Sequence, residues 1–130
     1  MAGARIFKSK WFQRFAGKER IADSALRDAV RRAGEGQIDA DLGGGVIKQR
    51  ISRPRQGKSG GYRTIILFLR GQRAFFVYGF AKSERGNIDR SDERGFKELA
   101  KVLLSLSDEA LDTLLAKGKF VEVSDGCDTQ

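Results

Sequence analysis

Residues 62–82 read YRTIILFLRGQRAFFVYGFAK, and this stretch decides the fold. Tyr62–Leu69 and Arg73–Phe80 are both dense in β-branched and aromatic residues, and Gly71-Gln72 lies between them. Two such runs around a Gly-X dipeptide predict an antiparallel hairpin with a two-residue loop. The register set by that loop pairs Arg70 with Arg73, Leu67 with Phe76 and Arg63 with Phe80. The turn end is apolar on both faces, which predicts a central place in a sheet. The far end delivers Arg63, with Lys82 one diagonal step away on the same face.

Val46–Ile51 precedes the hairpin and alternates: Ile47, Gln49 and Ile51 point one way, Lys48 and Arg50 the other. That is the pattern of a half-buried strand with one basic face. Between the two lies Arg53-Pro54-Arg55-Gln56-Gly57-Lys58-Ser59-Gly60, whose proline and glycines predict a loop. Gly57-Lys58-Ser59 resembles the end of a phosphate-binding P-loop, but the motif fails on two counts. Its first glycine would stand where Ser52 stands, and a strand rather than a helix follows.

Helical spacing is clear on both sides of this region. Trp11, Phe12 and Phe15 predict a short helix over residues 9–16, after a first strand over Arg5–Phe7. Ala22, Ala25, Leu26, Ala29, Val30 and Ala33 predict a second, capped by Asp23 or Ser24 and ended by Gly34 or Gly36. Phe96, Leu99, Ala100, Leu103 and Leu104 predict a third over residues 91–106. A fourth is capped by Ser107 and ended by Gly118, and a last strand covers Phe120–Val123. The expected architecture is therefore α+β: a small antiparallel sheet with two N-terminal helices and C-terminal helices, in a single domain over residues 1–123 with a flexible tail at 124–130.

Composition narrows the function. The chain has 130 residues, 40% of them hydrophobic, enough for one packed core. No apolar run reaches the roughly 20 residues of a membrane helix, and MAGARIFKSKWF has no apolar core of a secretory signal. With one cysteine and no histidine, zinc has no suitable ligand set and no cofactor is expected. A reducing, cytoplasmic setting is expected. The net charge is +8, and its excess belongs to the middle third. From Leu42 to Ser83 there are Lys48, Arg50, Arg53, Arg55, Lys58, Arg63, Arg70, Arg73 and Lys82, and no carboxylate. Such a concentration predicts a polyanionic partner, nucleic acid or an acidic protein surface.

Lys48, Arg50, Arg63 and Lys82 are predicted to converge, and they are the candidate catalytic residues. Arg53, Arg55, Lys58, Arg73 and Arg85 are candidate RNA contacts. Guanidinium forks hold phosphate in bidentate fashion and stabilise the extra charge of a phosphorane. A lysine set among like charges releases its proton more readily and can act as a base. These groups suit RNA cleavage without a metal, in which the ribose 2′-oxygen attacks its own 3′ phosphate. The same groups also suit simple RNA binding.

The segment YRTIILFLRGQRAFFVYGFAKSERGNI, preceded by a basic strand and followed by two helices, resembles the RelE/ParE superfamily of bacterial toxins. Gly79-Phe80-Ala81-Lys82 is most similar to the RelE/HigB-like branch, where a Gly-Phe-x-Lys run ends the hairpin. The similarity spans roughly residues 5–106. It implies the toxin of a type II toxin–antitoxin system: a ribosome-dependent mRNA endoribonuclease, silenced by a cognate antitoxin and meeting operator DNA only through that complex. Arg63 resembles the family's transition-state arginine, Lys82 its basic residue after the hairpin, and Lys48 and Arg50 its basic residues on the preceding strand. The chain departs from the pattern where many relatives carry a catalytic tyrosine, here Ile88, and in having no histidine. The ParE branch, which poisons DNA gyrase, shares the fold, so a gyrase-inhibiting toxin and a non-catalytic RNA-binding module stand as alternatives.

Overall fold

The computed structural model describes residues 4–53, 57–81 and 89–123, with the backbone alone at residues 53 and 57–60. The strands are β1 (Arg5–Ser9), β2 (Ala40–Gly43), β3 (Val46–Arg53), β4 (Gly57–Leu69), β5 (Arg73–Ala81) and β6 (Phe120–Val123). The helices are α1 (Lys10–Glu19), α2 (Asp23–Gly34), α3 (Arg90–Leu103) and α4 (Asp108–Ala116). The strands form one sheet in the order β2-β3-β4-β5-β1-β6, antiparallel throughout except for the parallel β1–β5 pair.

The hairpin β4–β5 sits at the centre of this sheet because both of its faces are apolar. Ile66, Ala74 and Phe76 pack with Phe12, Leu26 and Val30 under α1 and α2. Ile65, Leu67, Phe75 and Val77 pack with Phe7, Ala100, Leu103 and Leu111 under α3 and α4. The result is a three-layer α/β/α arrangement with a core on each face.

The hairpin register differs from the expectation near its turn. Three residues, Arg70 to Gln72, form the loop, and Leu69 O accepts the Gln72 N–H at 2.9 Å. Leu67 therefore faces Phe75 rather than Phe76, and Leu69 faces Arg73. A β-bulge opposite Ile65 and Ile66 absorbs the slip, so Arg63 faces Phe80 as the simple register required. The bulge also turns both Val77 and Tyr78 toward the α3 layer, which a strict two-residue period forbids.

Other corrections are local. Strand β2 is a short edge strand paired with β3; its sequence, Ala-Asp-Leu-Gly, reads as loop because four residues are too few to show a period. The expected loop over residues 53–60 is partly strand, since β4 begins at Gly57, which pairs with Arg53. Helix α2 has Ala22, not Asp23 or Ser24, at its N-cap. Asp23 lies in the first turn, where it accepts a bond from Lys8 Nζ at 3.1 Å. The cap of α4 is Ser107, whose Oγ accepts the Ala110 N–H at 3.0 Å. Helix α3 stops at Leu103 rather than Leu106.

Arg73 is the largest correction. It was expected to contact RNA, but it is only 7% exposed and turned into the protein. Its guanidinium donates to Leu103 O (3.1 Å), Leu106 O (2.8 Å) and Asp108 Oδ1 (2.9 Å). It thus closes the α3–α4 corner, bonding the last carbonyl of α3 and one in the connection that follows. On the neighbouring strand, Arg5 pairs with Arg73, grips both oxygens of Glu122 and reaches Asp112, which raises its pKa and ties β1 to β6 and α4.

Candidate active site

Strands β3 and β4 bring three of the candidate cations, Lys48, Arg50 and Arg63, together. Arg50 faces Arg63 directly, and Lys48 faces Ile65 one row along. Across β4, Arg63 faces Phe80 and Ile65 faces Tyr78. Lys48, Arg50 and Arg63 share the sheet face of Ile65 and Phe80, because Ile47, Gln49 and Ile51 occupy the other face under α2. Directly opposed residues on antiparallel strands stand about 5 Å apart at Cβ. The two guanidiniums therefore begin within reach of a single phosphate.

Arg50 Nε and Arg63 Nε are both shut off from solvent, and neither makes a hydrogen bond among the described residues. A buried donor left unspent costs free energy, of order 1–3 kcal/mol, unless a ligand satisfies it. Opposed like charges add repulsion that an anion between them would relieve. Asp39 Oδ2 stands 3.9 Å from Arg50 Nε. That distance is an ion pair but too long for a hydrogen bond.

The surroundings of Arg50 are tightly built. Gln49 is fully buried; its Nε2 donates to Ala29 O (3.0 Å) and Gln37 O (2.9 Å), and its Oε1 accepts the Asp39 N–H (3.1 Å). Arg32 of α2 donates from Nη2 to Arg50 O at 2.8 Å, on the edge of β3 that β2 leaves open. Asp28 orients Arg32 through Nε at 3.0 Å, and hydrogen bonds from Arg31 and Arg32 hold its carboxyl below the usual range. A cleft of about 400 Å³ opens here, lined by Asp28, Arg32, Asp39, Arg50 and Ser52 among others.

The remaining candidates divide. Lys82 and Arg85 lie in residues 82–88 and Arg55 in 54–56, outside the described residues. Arg53 and Lys58 fall on the ends of β3 and β4, where only the backbone is described. Arg73 is at the far end of the hairpin and serves the fold. Tyr62 is buried on the α1 side, where its hydroxyl donates to Glu19 Oε1 at 2.9 Å. Sequence reading missed Asp39, Gln49 and Arg32. Gln49 carried a signal, since a polar residue on an apolar face must find partners. Asp39 carried none, because its place depends on the unforeseen strand β2.

A small basic α+β protein with opposed arginines on one face of its sheet is the class these features define. The chain belongs to the RelE toxin family: the family described as the RelE toxin of the RelE / RelB toxin–antitoxin system matches residues 4–123. No curated protein matches the chain significantly. Membership makes it the toxin half of a toxin–antitoxin pair and implies an antitoxin partner. Among the described residues no helix is long and apolar enough to cross a membrane.

Proposed function

We propose that this toxin is an mRNA endoribonuclease of the RelE/HigB-like branch that acts on ribosome-bound message and so inhibits translation. The supporting observation is the Arg50–Arg63 pair, with two buried and unspent Nε donors on one sheet face. In the reaction the ribose 2′-oxygen loses its proton and bonds to phosphorus. The bond to the 5′-oxygen breaks, that oxygen takes a proton, and a 2′,3′-cyclic phosphate remains. Arg50 and Arg63 hold the phosphate oxygens and stabilise the charge that builds on them. Arginine stays protonated, so proton transfer falls to another group; Lys48, on the same face, and Lys82 are the candidates. Arg53, Arg55, Lys58 and Arg85 are proposed to track the RNA backbone. The antitoxin is proposed to silence the site with an acidic segment laid over this basic surface, and only the joint complex meets operator DNA.

The test is a translated message incubated with ribosomes and the purified toxin, its cleavage mapped by primer extension. The wild type is expected to cut, and Arg63→Ala to lose roughly 10²- to 10³-fold in rate, as for removal of one preorganised donor from a charged transition state. Intact message with inhibited gyrase in a supercoiling assay would replace this reading with the gyrase-poisoning one. Intact message, active gyrase and harmless overexpression without the antitoxin would leave only an RNA-binding module.

A further inference from the structure

We infer that Asp39 is a positioning residue for the arginine pair, holding Arg50 apart from Arg63 so that a phosphate can enter between them. The inference rests on the nuclease reading above and deepens it. Its basis is the strand order. Strand β3 has β2 on one side and β4 on the other, so Asp39, just before β2, and Arg63, on β4, flank Arg50 from opposite sides.

Left alone, two opposed guanidiniums repel and scatter over many rotamers. A carboxylate beyond Arg50 biases it away from Arg63 and sets one resting geometry. The separation of 3.9 Å matters for the same reason. A short, bidentate ion pair would consume the guanidinium; this loose one orients it and leaves the Nε–H for a phosphate oxygen. Asp39 does not drift, because its backbone N–H is fixed by Gln49, itself anchored on Ala29 O and Gln37 O. The Arg50 backbone is fixed in turn by Arg32. Both ends of the ion pair are therefore pinned to α2 and its C-terminal connection. Preorganisation of this kind raises the rate of the chemical step and does little for substrate binding. A negative charge beside the site opposes RNA binding.

The charge thus aids the chemical step and opposes binding, so its removal lowers kcat without raising KM. Asp39→Asn and Asp39→Ser each remove the charge, and among the described residues the Asp39 side chain makes only the 3.9 Å contact with Arg50. Cleavage of ribosome-bound message is measured as kcat and KM per folded protein, below the thermal midpoint of each variant. The expected result is a kcat lower by roughly tenfold or more, with KM unchanged or lower. One folded variant of the two suffices. A retained kcat, whatever KM does, overturns the inference, as does a raised KM, which would make Asp39 a substrate contact. Wild-type toxin that leaves message intact brings down the nuclease reading and this inference together. Wild-type cleavage with full kcat in the Asp39 variants brings down the inference alone.

Discussion

Arg63 and Arg73 belong to the same acid-free stretch, yet their surroundings give them different work. Arg63 stands opposite another arginine with its Nε unspent. Arg73 spends its guanidinium on two carbonyls and a carboxylate. Sequence reading treated both as RNA-facing, because charge is visible in a sequence and burial of a charge is not. The carbonyls that bind Arg73 lie 30 or more residues away, on helix ends whose position no local pattern reveals. Arg73→Met is therefore expected to lower stability by about 2–4 kcal/mol, since it strands one buried and one part-buried carbonyl while keeping the apolar stem. Cleavage per folded molecule should stay near wild type, and chemical denaturation paired with the primer-extension assay reads both. Weakened RNA binding by a fully stable variant would return Arg73 to the RNA surface.

At the scale of elements, the strongly periodic pieces were legible and the irregular ones were not. The hairpin, the strand over 46–51 and the helical faces of α2 and α3 follow from spacing alone. The β-bulge does not, because a bulge inserts a residue without changing composition. The expected pairing of Arg63 with Phe80 holds nonetheless, because the bulge and the longer loop, neither of them expected, cancel before Arg63 is reached. Gly79 shows how tightly α1 sits on this hairpin. A Cβ there would stand 2.7 Å from Phe15 Cε2 and 3.2 Å from Phe12 Cε1. Those rings cannot simply move aside: Phe15 stacks on Trp11 at 5.4 Å and meets the Tyr62 ring edge-on at 5.7 Å, and Phe12 is fully buried. Gly79→Ala should cost about 1–3 kcal/mol, the usual range for overpacking a filled core. A thermal melt with an unchanged midpoint would mean that α1 rides more loosely on β5 than its rings indicate. The glycine of the Gly-Phe-x-Lys run thus has a packing reason, separate from any chemistry at Lys82.

Over the whole molecule, charge is sorted by layer and by segment. The excess of positive charge lies on β3, β4 and β5 and the connections beside them, while the carboxylates lie in residues 19–41 and in the C-terminal third. Folding then concentrates Lys48, Arg50 and Arg63 on one face of adjacent strands instead of spreading them. This arrangement makes a quantitative demand on binding. Each phosphate neutralised on a single strand releases condensed counterions, giving a slope of about −0.7 per contact when log affinity is plotted against log salt. Three described cations alone require a slope of roughly −2 for an uncleavable 2′-deoxy RNA analogue, and contacts from Arg53, Arg55, Lys58, Lys82 or Arg85 steepen it. The double variant Arg50→Ala/Arg63→Ala should flatten the slope by about 1.4, two contacts' worth. An acidic antitoxin segment bound to the same face would show a comparable salt dependence and compete with the analogue. A wild-type slope shallower than about −1, or a double variant with the wild-type slope, would place the RNA on some other surface and strip the arginine pair of its role.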